Sequence, residues 1–174
     1  LRFTGDVWKE HACCQVVMHE RDLDERPEWA QKVVNAIVKA ELWLRDNRAE
    51  AAELLAVTGP EKYTPHSVAV LNRVLNPTAE QLAGYVADGA VRHPEWQARR
   101  IDFQPYPYPG YTTELIGQLK ETLVEGDKSF LDQLDPVAVA TDVVDDRFVR
   151  RALAEVGGLP AFGRDAGFTR TEIL

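Results

Sequence analysis

The sequence predicts a mainly α-helical protein with a short strand region at its N-terminus, and three observations carry that reading. Apolar residues recur at three- and four-residue spacing over long stretches after Pro27, which is the period of a helix with one face in a core. Proline, glycine and asparagine fall between those stretches, where helices start and stop. Only the first twenty residues carry a β-branched and aromatic run without helical period.

In chain order, Val7-Trp8 and Cys13 to Met18 are strand-like, and Cys13 to His19 reads as one strand buried on both faces. Glu28 to Asp46 then places Trp29, Val33, Ala36, Ile37, Ala40, Trp43 and Leu44 on one stripe, read as core, with Pro27 in the first turn. Asn47 and Glu50 stand in capping-box spacing at the head of a second helix stopped by Gly59-Pro60. Thr64-Pro65 opens a third helix with Val68, Leu71, Val74 and Leu75, ended by Asn76-Pro77. Thr78 to Ala90 is a weaker fourth, loosened by Gly84 and Gly89, and Pro94 to Gln97 is a short turn of helix.

The texture changes at Phe103. Prolines 105, 107 and 109 alternate with Tyr106, Tyr108 and the glycine before Tyr111, which excludes a helix or a central strand and predicts an extended connector. A helix capped by Thr112 or Thr113 follows, running through Val124 and ended by Gly126. Asp135-Pro136 opens another through Val144, and Arg147 to Val156 is the last, ended by Gly157-Gly158. The expected organisation is one domain over residues 1–174. It comprises a strand or crossover segment over 1–20, helices over 27–100, a Pro/Tyr connector over 101–111, C-terminal helices over 112–158 and a loop-like tail over 159–174.

Composition narrows function. At 174 residues the chain is long enough for a real core, and 45% hydrophobic with 28% charged residues is a globular balance. A net charge of −8 argues against nucleic acid, because phosphate binding needs clustered Lys and Arg. The pairs Arg99-Arg100 and Arg150-Arg151 each sit among acids. No apolar run approaches the about 20 residues of a membrane span. The chain opens Leu1-Arg2-Phe3, without initiator Met or leader, as a mature product or a cut-down piece would.

The residues with reactive chemistry are few. His11, Cys13, Cys14 and His19 could suit zinc by ligand type, but their strand spacing is poor and no second Cys pair completes four ligands. Cys13 and Cys14 are expected to be reduced, unmetallated and largely buried, as thiols in apolar strands are. A Cys nucleophile would need a base and an orienting group. Tyr106, Tyr108 and Tyr111 either line a ligand cleft or pack the proline connector onto the helices, packing being the plainer reading. The acidic runs Asp22 to Glu25 and Asp142 to Asp146 lack calcium-loop spacing and suit helix N-termini. No phosphate loop, nucleophile elbow or H-E-x-x-H motif occurs, and no cofactor is expected.

Four stretches carry a family likeness: His11 to Met18, Glu25-Arg26-Pro27-Glu28-Trp29, Val38 to Leu44 and Asn47 to Ala52. They resemble the nitrate/bicarbonate/sulfonate/taurine-type solute-binding proteins of ABC transporters, and relatives that bind thiamine-pyrimidine precursors. Asp135-Pro136 and Val143 to Val149 look like the C-terminal helices of such proteins, so the likeness covers most of residues 7 to 156. It implies the C-terminal portion of a type II periplasmic binding protein, α/β in the full-length parent, whose earlier lobe precedes a position like residue 1. It further implies a small anionic or zwitterionic solute, an ABC permease as partner, a periplasmic or extracytoplasmic location and no catalysis. His11 to Cys14 match a stretch that borders the cleft in the family, so His11, Cys13 and Cys14 would border the ligand, with Tyr106 and Tyr108 of the connector as the candidate aromatic wall. A helical regulatory or sensor module of such a transporter is the alternative, ahead of a Cys-dependent enzyme. A two-sided strand lacking neighbours would also favour a homodimer through residues 7–18.

Overall fold

The computed structural model describes residues 1–96, 101–123 and 125–174. The Arg99-Arg100 pair, Gln97 at the end of the expected turn and Val124 at the end of an expected helix lie outside the described residues. Just over half of the described residues are helical, and no strand occurs among them. The chain forms two compact units that interleave in sequence. Unit 1 comprises Leu1–His11, Lys39–Gln104 and Leu174, and unit 2 comprises Ala12–Val38 and Pro105–Ile173.

The strand expected over Cys13 to His19 is not formed. Cys13 to Val17 is exposed, and the backbone there is neither helix nor strand. Val17 retains 90% of its surface and Val16 56%. β-Propensity reports fit to a pleated surface, and among the described residues there is no sheet for this run to join.

The segment leads into α1 (Glu20–Glu25), where the His19 side chain accepts a hydrogen bond from the Arg21 N–H and Glu20 and Asp22 occupy the first turn. Of the acidic run Asp22 to Glu25, Asp22 takes the first-turn place expected of it, whereas Asp24 and Glu25 close the helix. α2 (Pro27–Asp46) begins on Pro27. Its buried line is displaced by one position from the expected stripe. Ala30 and Val38 are buried and Val34, Ile37, Glu41 and Arg45 are half-buried, whereas Trp29 and Trp43 are 44% and 38% exposed. The two indoles are therefore not core, and two charged residues occupy the inward face.

In unit 1, α3 (Arg48–Leu55) packs on α4 (Val68–Leu75) through Ala51, Ala52 and Leu75, flanked by Leu44, Leu55, Leu71 and Phe103. The expected Asn47 cap is absent. The Asn47 amide instead donates back to the Trp43 carbonyl, closing α2. Gly59 follows α3 where a Cβ would lie 2.5 Å from the Leu54 carbonyl oxygen, so only glycine fits that return. α4 starts at Ser67, whose hydroxyl accepts from the Val70 N–H, three residues after the expected start. α5 (Ala79–Ala87) carries a complete capping box from Thr78 and Gln81.

In unit 2, α6 (Pro109–Glu121) starts three residues before the expected Thr112, because Pro109 is suited to a first helical position. It packs on α7 (Ser129–Asp132) and α8 (Pro136–Val143), and the Asp135 carboxylate caps α8 by accepting from two backbone N–H groups. α9 (Arg147–Glu155) buries Phe148, Val149, Ala152 and Leu153. The tail expected to be loop contains a 3-10 turn, Leu159–Phe162, whose terminal residues are each 1% exposed. Two hydrophobic side chains three residues apart suffice to draw that turn into the core.

Candidate functional site

The sequence-predicted site residues are distributed unevenly. His11 belongs to unit 1, and Cys13, Cys14, Tyr106 and Tyr108 belong to unit 2. His11 is half-buried, and burial lowers the pKa of its imidazole, which favours the neutral ring. Cys13 and Cys14 are free and exposed, with their Sγ atoms 3.8 Å apart. Their expected burial is thus corrected; it presumed a strand that did not form. The Cys13 thiol is pushed up by its hydrogen bond and charge interaction with Cys14, then by desolvation, so the protonated form prevails at neutral pH. Among the described residues no group of three or more His, Cys, Asp or Glu side chains is placed to hold a metal ion.

The tyrosines form a close-packed cluster in unit 2. Tyr106 is 3% exposed and Tyr108 7%, their rings meeting edge-on with centroids 5.0 Å apart. Phe168 closes over Tyr106 at 4.7 Å. The Tyr106 hydroxyl donates to Asp146 Oδ2 at 2.5 Å and accepts from Arg150 Nη2 at 3.0 Å. Arg150 Nε reaches the same carboxylate oxygen at 2.6 Å and its guanidinium lies 3.9 Å from the Phe168 centroid. Helix α9 supplies this arrangement: Asp146 is its N-cap and Arg150 lies one turn on. A second layer repeats the theme, with Arg170 over Tyr108 at 4.8 Å and paired with Glu172 at 2.6 Å. Tyr111, on α6, donates to the Ala12 carbonyl at 2.9 Å.

Desolvation first, and the hydrogen bond and charge of Asp146 second, push the Tyr106 phenol up to about 12. At neutral pH it is protonated and cannot serve as a base. Arg150 is held further into its charged form by Asp146. The rings pack the connector rather than stand open along it, and the polar groups spend their hydrogen bonds on one another. Asp146, Arg150, Phe168, Arg170 and Glu172 were not among the sequence candidates. The Arg150-Arg151 pair and the Asp145-Asp146 step were the available signals, read there as charge balance and helix start.

This arrangement makes a packed cluster in unit 2 whose polar groups hydrogen-bond one another. Residues 1–57 match the profile of the NMT1-like family, a solute-binding family. The stretches His11 to Met18, Glu25 to Trp29, Val38 to Leu44 and Asn47 to Ala52 fall inside the matched part, and the late stretches from Asp135 to Val149 fall outside it. No curated protein and no solved structure matches the chain. Among the described residues no helix is long and apolar enough to cross a membrane.

Proposed function

We propose that the chain is the C-terminal part of the substrate-binding component of an ABC importer, with no catalytic step of its own. Its solute is small and anionic or zwitterionic, such as nitrate, bicarbonate, a sulfonate or taurine, and its protein partner is the importer's permease. Its place of work is periplasmic or extracytoplasmic, and its fold is the closing portion of a type II periplasmic binding protein. The observation that carries this reading is the NMT1-like match over residues 1–57. Exposed Val16 and Val17 leave a homodimer of this chain through residues 7–18 within the proposal, as association of an exposed apolar run and not as pairing of a buried strand.

Calorimetry of the complete gene product against nitrate, bicarbonate, taurine and a short alkanesulfonate is the test. Saturable micromolar binding of one of them supports the reading, and no heat with any of them overturns it. Residues 1–174 alone are expected to bind none tightly, since solute clefts of this type close between two lobes.

A further inference from the structure

Cys13 and Cys14 lie on a span fastened at both ends and free between. At one end Tyr111 holds the Ala12 carbonyl at 2.9 Å, and at the other the His19 side chain caps α1. Between them Cys13–Met18 has no helix or strand, and among the described residues its backbone pairs with no other backbone group. Both thiols are exposed and 3.8 Å apart. Bonding distance is about 2.05 Å, so closure draws the sulfurs together within this short span with no ladder to break.

The bond so formed would be strained. Adjacent Cα atoms are about 3.8 Å apart across a trans peptide, whereas disulfides ordinarily span about 4.4–6.8 Å. Strain and exposure raise a disulfide's reduction potential and make it easy to reopen.

We propose that Cys13 and Cys14 are a redox-labile thiol pair that closes to a vicinal disulfide by exchange with low-molecular-weight disulfides. One cysteine thiolate attacks a sulfur of the external disulfide, forming a mixed disulfide and releasing one small thiol. The neighbouring thiolate then attacks the protein sulfur of that mixed disulfide, closing the ring and expelling the second small thiol. Two electrons pass from the protein to the external disulfide, and the two cysteine protons leave with the two thiols. The second step is intramolecular between adjacent residues, so it outruns capture of a second small molecule or a second chain.

The test is incubation of the reduced chain with oxidised glutathione over a series of ratios to reduced glutathione, read by intact mass, thiol titration and non-reducing gels. The expected product is a monomer lighter by two hydrogens, with no titratable thiol and no retained glutathione, which reopens as reduced glutathione is raised. Cys13→Ser and Cys14→Ser should each instead retain one glutathione. Wild-type chain that keeps glutathione, cross-links into disulfide dimers or leaves both thiols unreacted would overturn the proposal.

Discussion

Each unit uses an arginine to fasten irregular chain to a helix, but the two fastenings are wired differently. In unit 1, Arg48 on α3 is the hub. It donates to the Leu75 carbonyl at 2.9 Å, the Ile101 carbonyl at 2.7 Å and Asp102 at 3.0 Å, while Arg45 holds the other Asp102 oxygen at 2.9 Å. In unit 2, Tyr106, Asp146 and Arg150 form a triangle in which every member bonds the other two. A hub strands its partners when removed; a triangle that loses one corner keeps its remaining edge. The difference teaches that the number of hydrogen bonds at a buried residue is a poorer guide to its importance than what its partners do without it.

The largest expected effect follows from the hub. Arg48→Ala takes the donor from the buried Leu75 carbonyl and the part-buried Ile101 carbonyl and leaves Asp102 with one arginine, and should cost about 3 kcal/mol, seen as a lower urea midpoint at unchanged slope. Tyr106→Phe removes two hydrogen bonds but leaves the Asp146–Arg150 pair, so about 1–2 kcal/mol is expected in the same assay. Equal losses for the two variants would erase the contrast.

A pH experiment sharpens the comparison within unit 1. Glu41 lies on the inward face of α2 with a buried Oε2 that has no hydrogen-bond partner, and desolvation raises its pKa from 4.5 to about 7. A carboxyl raised in the folded state binds its proton more tightly there than when unfolded. Its contribution to stability is therefore full below pH 4.5 and declines as pH rises through about 7. Glu41→Gln should raise the thermal midpoint at pH 8 and change it little at pH 4. An equal shift at both values would mean that the carboxyl is not held in its neutral form.

The smallest effect is expected at the edge of unit 2. Val17→Lys should change stability by less than about 0.5 kcal/mol, because the side chain is almost wholly in solvent. It should also weaken any dimer joined through residues 7–18, which light scattering over a concentration series would record. A stability loss several times larger would restore the buried-strand reading.

Helix existence was legible because it rests on local period and punctuation: α2, α4, α8 and α9 appear where Pro27, Asn76-Pro77, Asp135-Pro136 and Gly157-Gly158 mark their ends. Which face turns inward was less legible. The α2 line shifted by one residue because Glu41 and Arg45 sit inward, a consequence of distant chain that no local pattern encodes. Cys13 to His19 failed for a related reason: strand propensity names a suitable surface without supplying the partner strand. At the site, Tyr106 and Tyr108 stood out by composition, but Asp146, Arg150 and Phe168 reach Tyr106 across at least 40 residues of sequence. The Leu159–Phe162 turn was hidden among glycines that otherwise signal loop.

The interleaving of the units has a consequence for synthesis on the ribosome. Residues 12–38 belong to unit 2, but the rest of that unit begins at Pro105, after all of Lys39–Gln104 has been made. At about 5–20 residues per second, translating those intervening residues takes roughly 3–13 seconds. For that interval the Val16-Val17 segment and the first part of α2 emerge without Tyr111, Phe148 or the α9 core, while unit 1 can already assemble around α3 and α4. A slow stretch of codons after Gln104 would lengthen the exposure of an apolar, unpaired run to chaperones and to neighbouring nascent chains. The order in which the two units mature is thus written into the chain's threading, independently of how stable either becomes.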